Sequence, residues 1–177
     1  MLLFPGSSWR YKSWPEKRFA RLAERIRREL DCEPVVVCGP GEEGTGAAVA
    51  AAAGIPLGVV RPADLTALYR IIADATAVVC NNSAPLHLAE AIGTPVIVLT
   101  GSSDPVRWGP YSPTGVGLCH SVGLPCHPCR EQRCVTPDSP CITRIAVGEV
   151  VDALQTLIPR AEHGRSQVAA ASGAASR

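Results

Sequence analysis

A chain of 177 residues, 46% hydrophobic and 19% charged, suits one globular domain that buries about two-thirds of its unfolded surface, which excludes a disordered or fibrous chain. A net charge of +1 gives no electrostatic case for nucleic acid or an acidic partner. The most apolar region, Ala47 to Val60, is broken by Pro56 and is too short to span a bilayer; no signal peptide is visible, so a cytoplasmic location is the default expectation.

Leu2 to Phe4 reads as a buried strand that begins at once, either as a true start or as a piece of something longer. Pro5-Gly6-Ser7-Ser8 leaves it, Trp9 to Trp14 continues the loop, and Pro15 sits at a first helical position. Phe19, Leu22, Ala23, Ile26 and Leu30 recur at helical spacing, so Pro15 to Leu30 is an amphipathic helix with a charged, solvated outer face. Val35 to Cys38 is a second strand closed by Gly39-Pro40-Gly41, and Glu42 to Ala53 is a small-residue helix suited to close packing on a sheet. Leu57 to Val60 is a third strand, and Asp64 caps a helix carrying Leu65, Leu68, Ile71 and Ile72.

Val78 to Cys80 is continuously apolar, as in a parallel strand covered on both faces. Asn81 to Pro85 is predicted as a turn with Asn82 or Ser83 as N-cap, and Gly93-Thr94-Pro95 stops the helix before the apolar strand Val96 to Leu99. From Ser102 to Leu124 the chain is rich in Pro and Gly. A cysteine cluster follows, then a last helix with Val147, Val150, Val151, Leu154 and Leu157 on its face; from Pro159 disorder is predicted. The alternation of strands and helices with short loops predicts an α/β fold, a doubly wound parallel sheet. The expected domain is 1–158, with a Cys-rich loop at 119–144 and a disordered tail at 159–177.

Three loops carry groups suited to a phosphate or a ribose. Ser7, Ser8 and Lys12 lie in a strand–helix loop without Walker spacing, and lysine is scarce, occurring only at Lys12 and Lys17. Glu42 and Glu43 begin a helix after a glycine turn, where a carboxylate either complements the helix dipole or accepts hydrogen bonds from ribose hydroxyls. The Asn82-Ser83 turn places helix N–H groups at the carboxyl edge of the sheet, either as an anion site or as an ordinary capped βαβ unit.

The combination of PGSSWRYKSWPEKRFARLA, VVVCGPGEE, NNSAPLHLAEAIGTPVIVLTGSSDP and RWGPYSP resembles the C-terminal half of glycosyltransferase family 9, the ADP-heptose:lipopolysaccharide heptosyltransferases and their relatives, over Leu2 to about Leu157. The resemblance implies the Rossmann-like C-terminal domain of a GT-B enzyme, transferring heptose from ADP-heptose to the lipopolysaccharide core with inversion. It assigns donor binding to Ser7, Ser8, Lys12, Glu42 (Glu43 as second choice), Asn82, Ser83, Ala84, Leu86 and His87. Two positions depart from the family pattern: Asn82 stands where Asp is usual and Ala84 where Gly is usual. An amide supplies no negative charge, and a Cβ at position 84 is strained wherever the backbone needs positive φ. The resemblance implies that the general base and the acceptor site lie in an N-terminal half, which is expected to be missing from this sequence. No catalytic residue is therefore expected in it, and no cofactor is required for the chemistry. Peripheral contact with the inner membrane is the most that is expected.

Cys126, Cys129, Cys134 and Cys141 put four thiols in sixteen residues, and the first pair has zinc-ligand spacing. A structural zinc is the expectation; two disulfides and an iron–sulfur cluster are the rivals. Cys32, Cys38, Cys80 and Cys119 read as packing residues, with membership of the cluster as the alternative for Cys119. Two further readings stand beside the leading one: a related GT-B transferase using another nucleotide-sugar, and a non-catalytic metal-binding interaction module.

Overall fold

The computed structural model describes residues 1–127, 129, 134–136 and 140–158. Six strands, β1 (Leu2–Phe4), β2 (Val35–Val37), β3 (Gly58–Val60), β4 (Val78–Asn81), β5 (Val96–Thr100) and β6 (Gly115–Cys119), form one sheet in the order β3-β2-β1-β4-β5-β6. Every pairing is parallel, with Leu3 opposite both Val36 and Val79, and Val79 opposite Ile97. The doubly wound parallel sheet expected from the sequence is thus the fold that forms.

Alternate residues of the strands feed two separate cores, which is why continuous apolar runs are needed. Leu3, Val36, Val79, Ile97 and Leu99 face one layer: Phe19, Leu22 and Ile26 of α1 (Glu16–Glu29), Val49 of α2 (Glu43–Ala52), and Val150, Val151, Leu154 and Leu157 of the last helix, described over 147–158. Leu2, Phe4, Val37, Val78, Cys80, Val96 and Val98 face the other, formed by α3 (Leu65–Ala73) and α4 (Ala84–Ile92). Close packing of α2 depends on Gly46, where a Cβ would come within 2.2 Å of the Cys38 sulfur.

Three features differ from the sequence expectation. Asn81 is the last residue of β4 and is wholly buried, rather than part of a turn. The Pro- and Gly-rich stretch contains β6, whose Gly115 and Gly117 lie under the Pro110 ring and leave only Val116 and Leu118 to show a strand pattern. A short helix, α5 (Pro140–Thr143), follows the cysteine region and buries Cys141 and Ile142. The tail expected at 159–177 lies outside the described residues, and no helix among the described residues is long and apolar enough to cross a membrane.

Candidate functional site

The strand order reverses between β1 and β4, and in open α/β sheets the crevice at the carboxyl ends of such strands receives ligands. A cleft of about 400 Å³ opens there. Its polar wall is Ser7 and Ser8 from the β1–α1 loop, Glu42 from the β2–α2 turn, and Ser83 and Ala84 at the start of α4. Its apolar wall comes from Val37, Pro62, Leu65 and Leu68, of which the β3–α3 residues were not predicted as site residues. Asp64 lines the cleft too, but its carboxylate is engaged as the N-cap of α3, accepting from Ala67 N–H at 2.7 Å.

Glu42 is the acidic residue of the pair that faces this space. Its carboxylate accepts from Gly39 N–H at 2.8 Å and lies across Gly6, where a Cβ would come within 2.1 Å of its oxygens. Gly6, Ser7 and Glu42 also line a second, more polar cleft of about 890 Å³, with Ser13, Glu16 and Thr45. Glu43 turns instead to Arg61, at 2.9 Å. Its carboxyl is held below the usual range by its own backbone N–H and that of Gly41, with Arg61 adding to the effect.

The β4–α4 turn is built as an open helix start. Ser83 has extended backbone and is the N-cap, but its hydroxyl donates to the Asn81 carbonyl at 3.1 Å and caps no helix N–H. The first turn of α4 therefore lies at the cleft with no side-chain capping bond from its N-cap. Ala84 is the first residue of α4 and does not have positive φ, so the strain attached to losing a glycine does not arise. Pro85 follows it at the helix start and also lines the cleft.

Other predicted residues are placed differently. The Leu86 side chain is buried in the α3–α4 core, and its N–H donates to Ser83 O, so it offers the cleft nothing. Lys12 lines neither cleft; its ammonium rests 4.4 Å from the centre of the Trp9 ring. His87 is exposed on the first turns of α4, 3.8 Å from the Glu90 carboxylate.

Asn82 acts as a tether. Its amide donates to the Trp108 carbonyl at 3.2 Å and the Thr100 hydroxyl at 3.4 Å, while Glu90 accepts from Tyr111 and Ser112 N–H groups at 2.5 and 2.8 Å. Together these hold the RWGPYSP loop against β4 and α4. An aspartate at position 82 has no hydrogen to give Trp108 O. Asn82→Asp is expected to lower unfolding stability by about 1 kcal/mol. Urea denaturation measures this, and an unchanged midpoint would remove the tether assignment.

The four cysteines of the expected metal set line one small cavity of about 20 Å³, enough for a single ion or water, together with Tyr11, Ser121 and His127. Burial pushes the Cys141 thiol up, and the nearby Cys134 and Cys126 sulfurs add to this. No disulfide joins the described cysteines. Thiols suit zinc or iron, yet among the described residues no three His, Cys, Asp or Glu side chains converge closely enough to hold one ion. Cys38 and Cys80 are core residues, as expected, whereas Cys119 pairs with the Ser121 hydroxyl at 3.0 Å.

Comparison with known proteins gives this geometry a family. Residues 1–139 match the model of glycosyltransferase family 9 (heptosyltransferase). Lipopolysaccharide heptosyltransferase 1 of Pseudomonas aeruginosa is 30% identical over 135 residues, 76% of this chain and 37% of that protein. The structure of E. coli ADP-heptose lps heptosyltransferase II superposes with a TM-score of 0.74 at 20% identity, over 91% of this chain and 46% of that one. The dodecameric iron-containing heptosyltransferase TibC, in complex with ADP-D-beta-D-heptose, superposes with a TM-score of 0.65 at 15% identity, over 90% and 45%. The chain thus spans less than half the length of these relatives. On the family match and the shared fold, the chain belongs to glycosyltransferase family 9, the heptosyltransferases.

Proposed function

We propose that this chain is the donor-binding half of a GT-B heptosyltransferase that takes heptose from ADP-heptose and passes it, with inversion, to a sugar of the lipopolysaccharide core. The observation that carries this reading is the cleft at the β1–β4 switch point, with one apolar wall and one wall of carboxylate, hydroxyls and an uncapped helix start. A nucleoside diphosphate has the matching chemistry, a flat base at one end and an anion at the other. The base packs between Val37, Pro62, Leu65 and Leu68, and Glu42 accepts from the ribose hydroxyls. Ser7, Ser8 and the α4 N-terminus meet the diphosphate, joined by Lys12 once it leaves Trp9. His87, on the exposed side of α4, approaches the sugar. The acceptor site and the general base belong to the other half of the enzyme. The natures of the donor in the TibC complex and of the Pseudomonas relative support this donor class. The setting is the cytoplasm, with at most peripheral contact at the inner membrane.

Titration calorimetry tests the reading. ADP is expected to bind, and UDP to bind about tenfold more weakly, because its smaller base covers less of the apolar wall of Val37, Pro62, Leu65 and Leu68. Absence of ADP binding by a folded sample overturns it, and tighter UDP or GDP binding transfers it to a different nucleotide-sugar. Against the non-catalytic alternative, which takes Asn82 and Ala84 as marks of lost catalysis, Asn82 has a structural use in holding the Trp108 loop and Ala84 opens α4 without positive φ.

The proposal includes a structural zinc on Cys126, Cys129, Cys134 and Cys141, supported by the cavity these thiols share. Folding around the ion has to bring the sulfurs to about 2.3 Å from it. Metal analysis of the purified chain is expected to give about one zinc per chain. Iron in that amount would align the site with the iron-containing relative instead, and a metal-free folded chain would end the metal proposal.

A further inference from the structure

Asn81 has no exposed surface, and its side chain makes three hydrogen bonds, all to one loop. Its oxygen accepts from Trp14 N–H at 2.9 Å, and its amide nitrogen donates to the carbonyls of Pro5 at 2.8 Å and Gly6 at 3.2 Å. The two carbonyls lie where the chain leaves β1, and the N–H lies just before α1 begins. One side chain from β4 therefore closes both ends of the 5–14 loop. An amide is the group this geometry needs, because it donates two hydrogens and accepts at its oxygen in one plane; a carboxylate would face two carbonyls with no hydrogen to share.

We propose that Asn81 is a positioning residue for the diphosphate end of the cleft. It holds the loop in the shape that presents Ser7 and Ser8 to the ligand, so that their ordering is complete before binding rather than subtracted from the affinity. This rests on the nucleotide-sugar reading above. Glu42 and the apolar wall belong to β2, α3 and the turns beside them, which Asn81 does not touch. Asn81 reaches Glu42 only indirectly, through Gly6 beneath its carboxylate, so losing Asn81 weakens the phosphate-dependent part of binding more than the rest.

Calorimetry of the wild-type chain, Asn81→Asp and Asn81→Ala with ADP and with adenosine tests this. Both variants are expected to weaken ADP by about tenfold or more while adenosine changes by less than about twofold. A wild-type chain that binds neither ligand defeats the nucleotide reading itself. If the wild type binds ADP and the variants bind it equally well, or lose ADP and adenosine alike, the positioning role is overturned. Should both variants fail to fold, hydrogen exchange in the ligand-free wild type decides. The Trp14 amide is expected to be protected as strongly as the amides of β4, and exchange at the rate of an open loop overturns the proposal.

Discussion

Replacing Glu42 by alanine is expected to weaken ADP binding about 30-fold, the equivalent of losing about 2 kcal/mol of hydrogen bonding to a charged group. The same change at Glu43 leaves binding within about threefold. The two residues are adjacent in the chain and indistinguishable by type, so the difference is purely one of placement. Glu42 lies under the cleft with its carboxylate fixed by Gly39 N–H, so a ligand hydroxyl meets an acceptor already aimed. Glu43 is the first residue of α2 and spends its charge on an exposed ion pair with Arg61. Glu42→Gln separates charge from shape: the amide oxygen still accepts from Gly39, so the loss should be smaller than for alanine. Gly6→Ala should reproduce much of the loss while Glu42 itself is kept, because the new Cβ displaces its carboxylate. If Glu43→Ala weakens ADP as much as Glu42→Ala, the assignment of the ribose carboxylate is wrong.

The parts of this molecule that could be read from the sequence are those where one residue type repeats with a period. The apolar runs of β1, β2, β4 and β5 and the spaced Phe19, Leu22 and Ile26 of α1 gave both the sheet and its double winding. β6 escaped because Gly115 and Gly117 on one face lie under the Pro110 ring, which leaves only Val116 and Leu118 to show an apolar alternation. In the site, Glu42, Ser7 and Ser8 were legible because they sit in loops at strand ends. Leu65 and Leu68 were legible only as helix-face residues, since nothing in a helical period says which apolar residue meets a ligand and which meets a neighbour. Asn81 was hidden for a different reason. Its neighbours Asn82 and Ser83 make a turn plausible, and its three partners lie 67 to 76 residues away in the chain. Lys12 shows the converse: its type suits a phosphate, but its position over Trp9 is a cation–π contact that the sequence does not announce.

Trp14→Ala is expected to be the most destabilising of the single changes considered, at about 3–5 kcal/mol. A domain of this size has about 5–15 kcal/mol in total, so the variant should be marginal or unfolded at physiological temperature. The side chain is only 1% exposed, and its ring meets Phe19 edge-on with centroids 5.1 Å apart. Its indole N–H donates to Ile145 O at 2.9 Å, linking the start of α1 to the segment that leads into the last helix. Truncation thus leaves a cavity in the larger of the two cores and removes a contact between parts of the chain 131 residues apart. The orphaned acceptor is the smaller part of the cost, because Arg18 also donates to Ile145 O. For that reason Trp14→Phe, which keeps a ring in the core and loses only the N–H and some volume, should cost about 1–2 kcal/mol. Trp9→Ala should fall within about 1 kcal/mol of wild type, since Trp9 is 43% exposed. Urea unfolding of the three variants provides the comparison, and a Trp14→Ala midpoint close to that of Trp9→Ala would contradict the packing role. The Trp14→Phe variant also separates stability from binding. The backbone N–H that Asn81 accepts is still present after the substitution, so ADP affinity should stay within about threefold of wild type wherever the variant is folded.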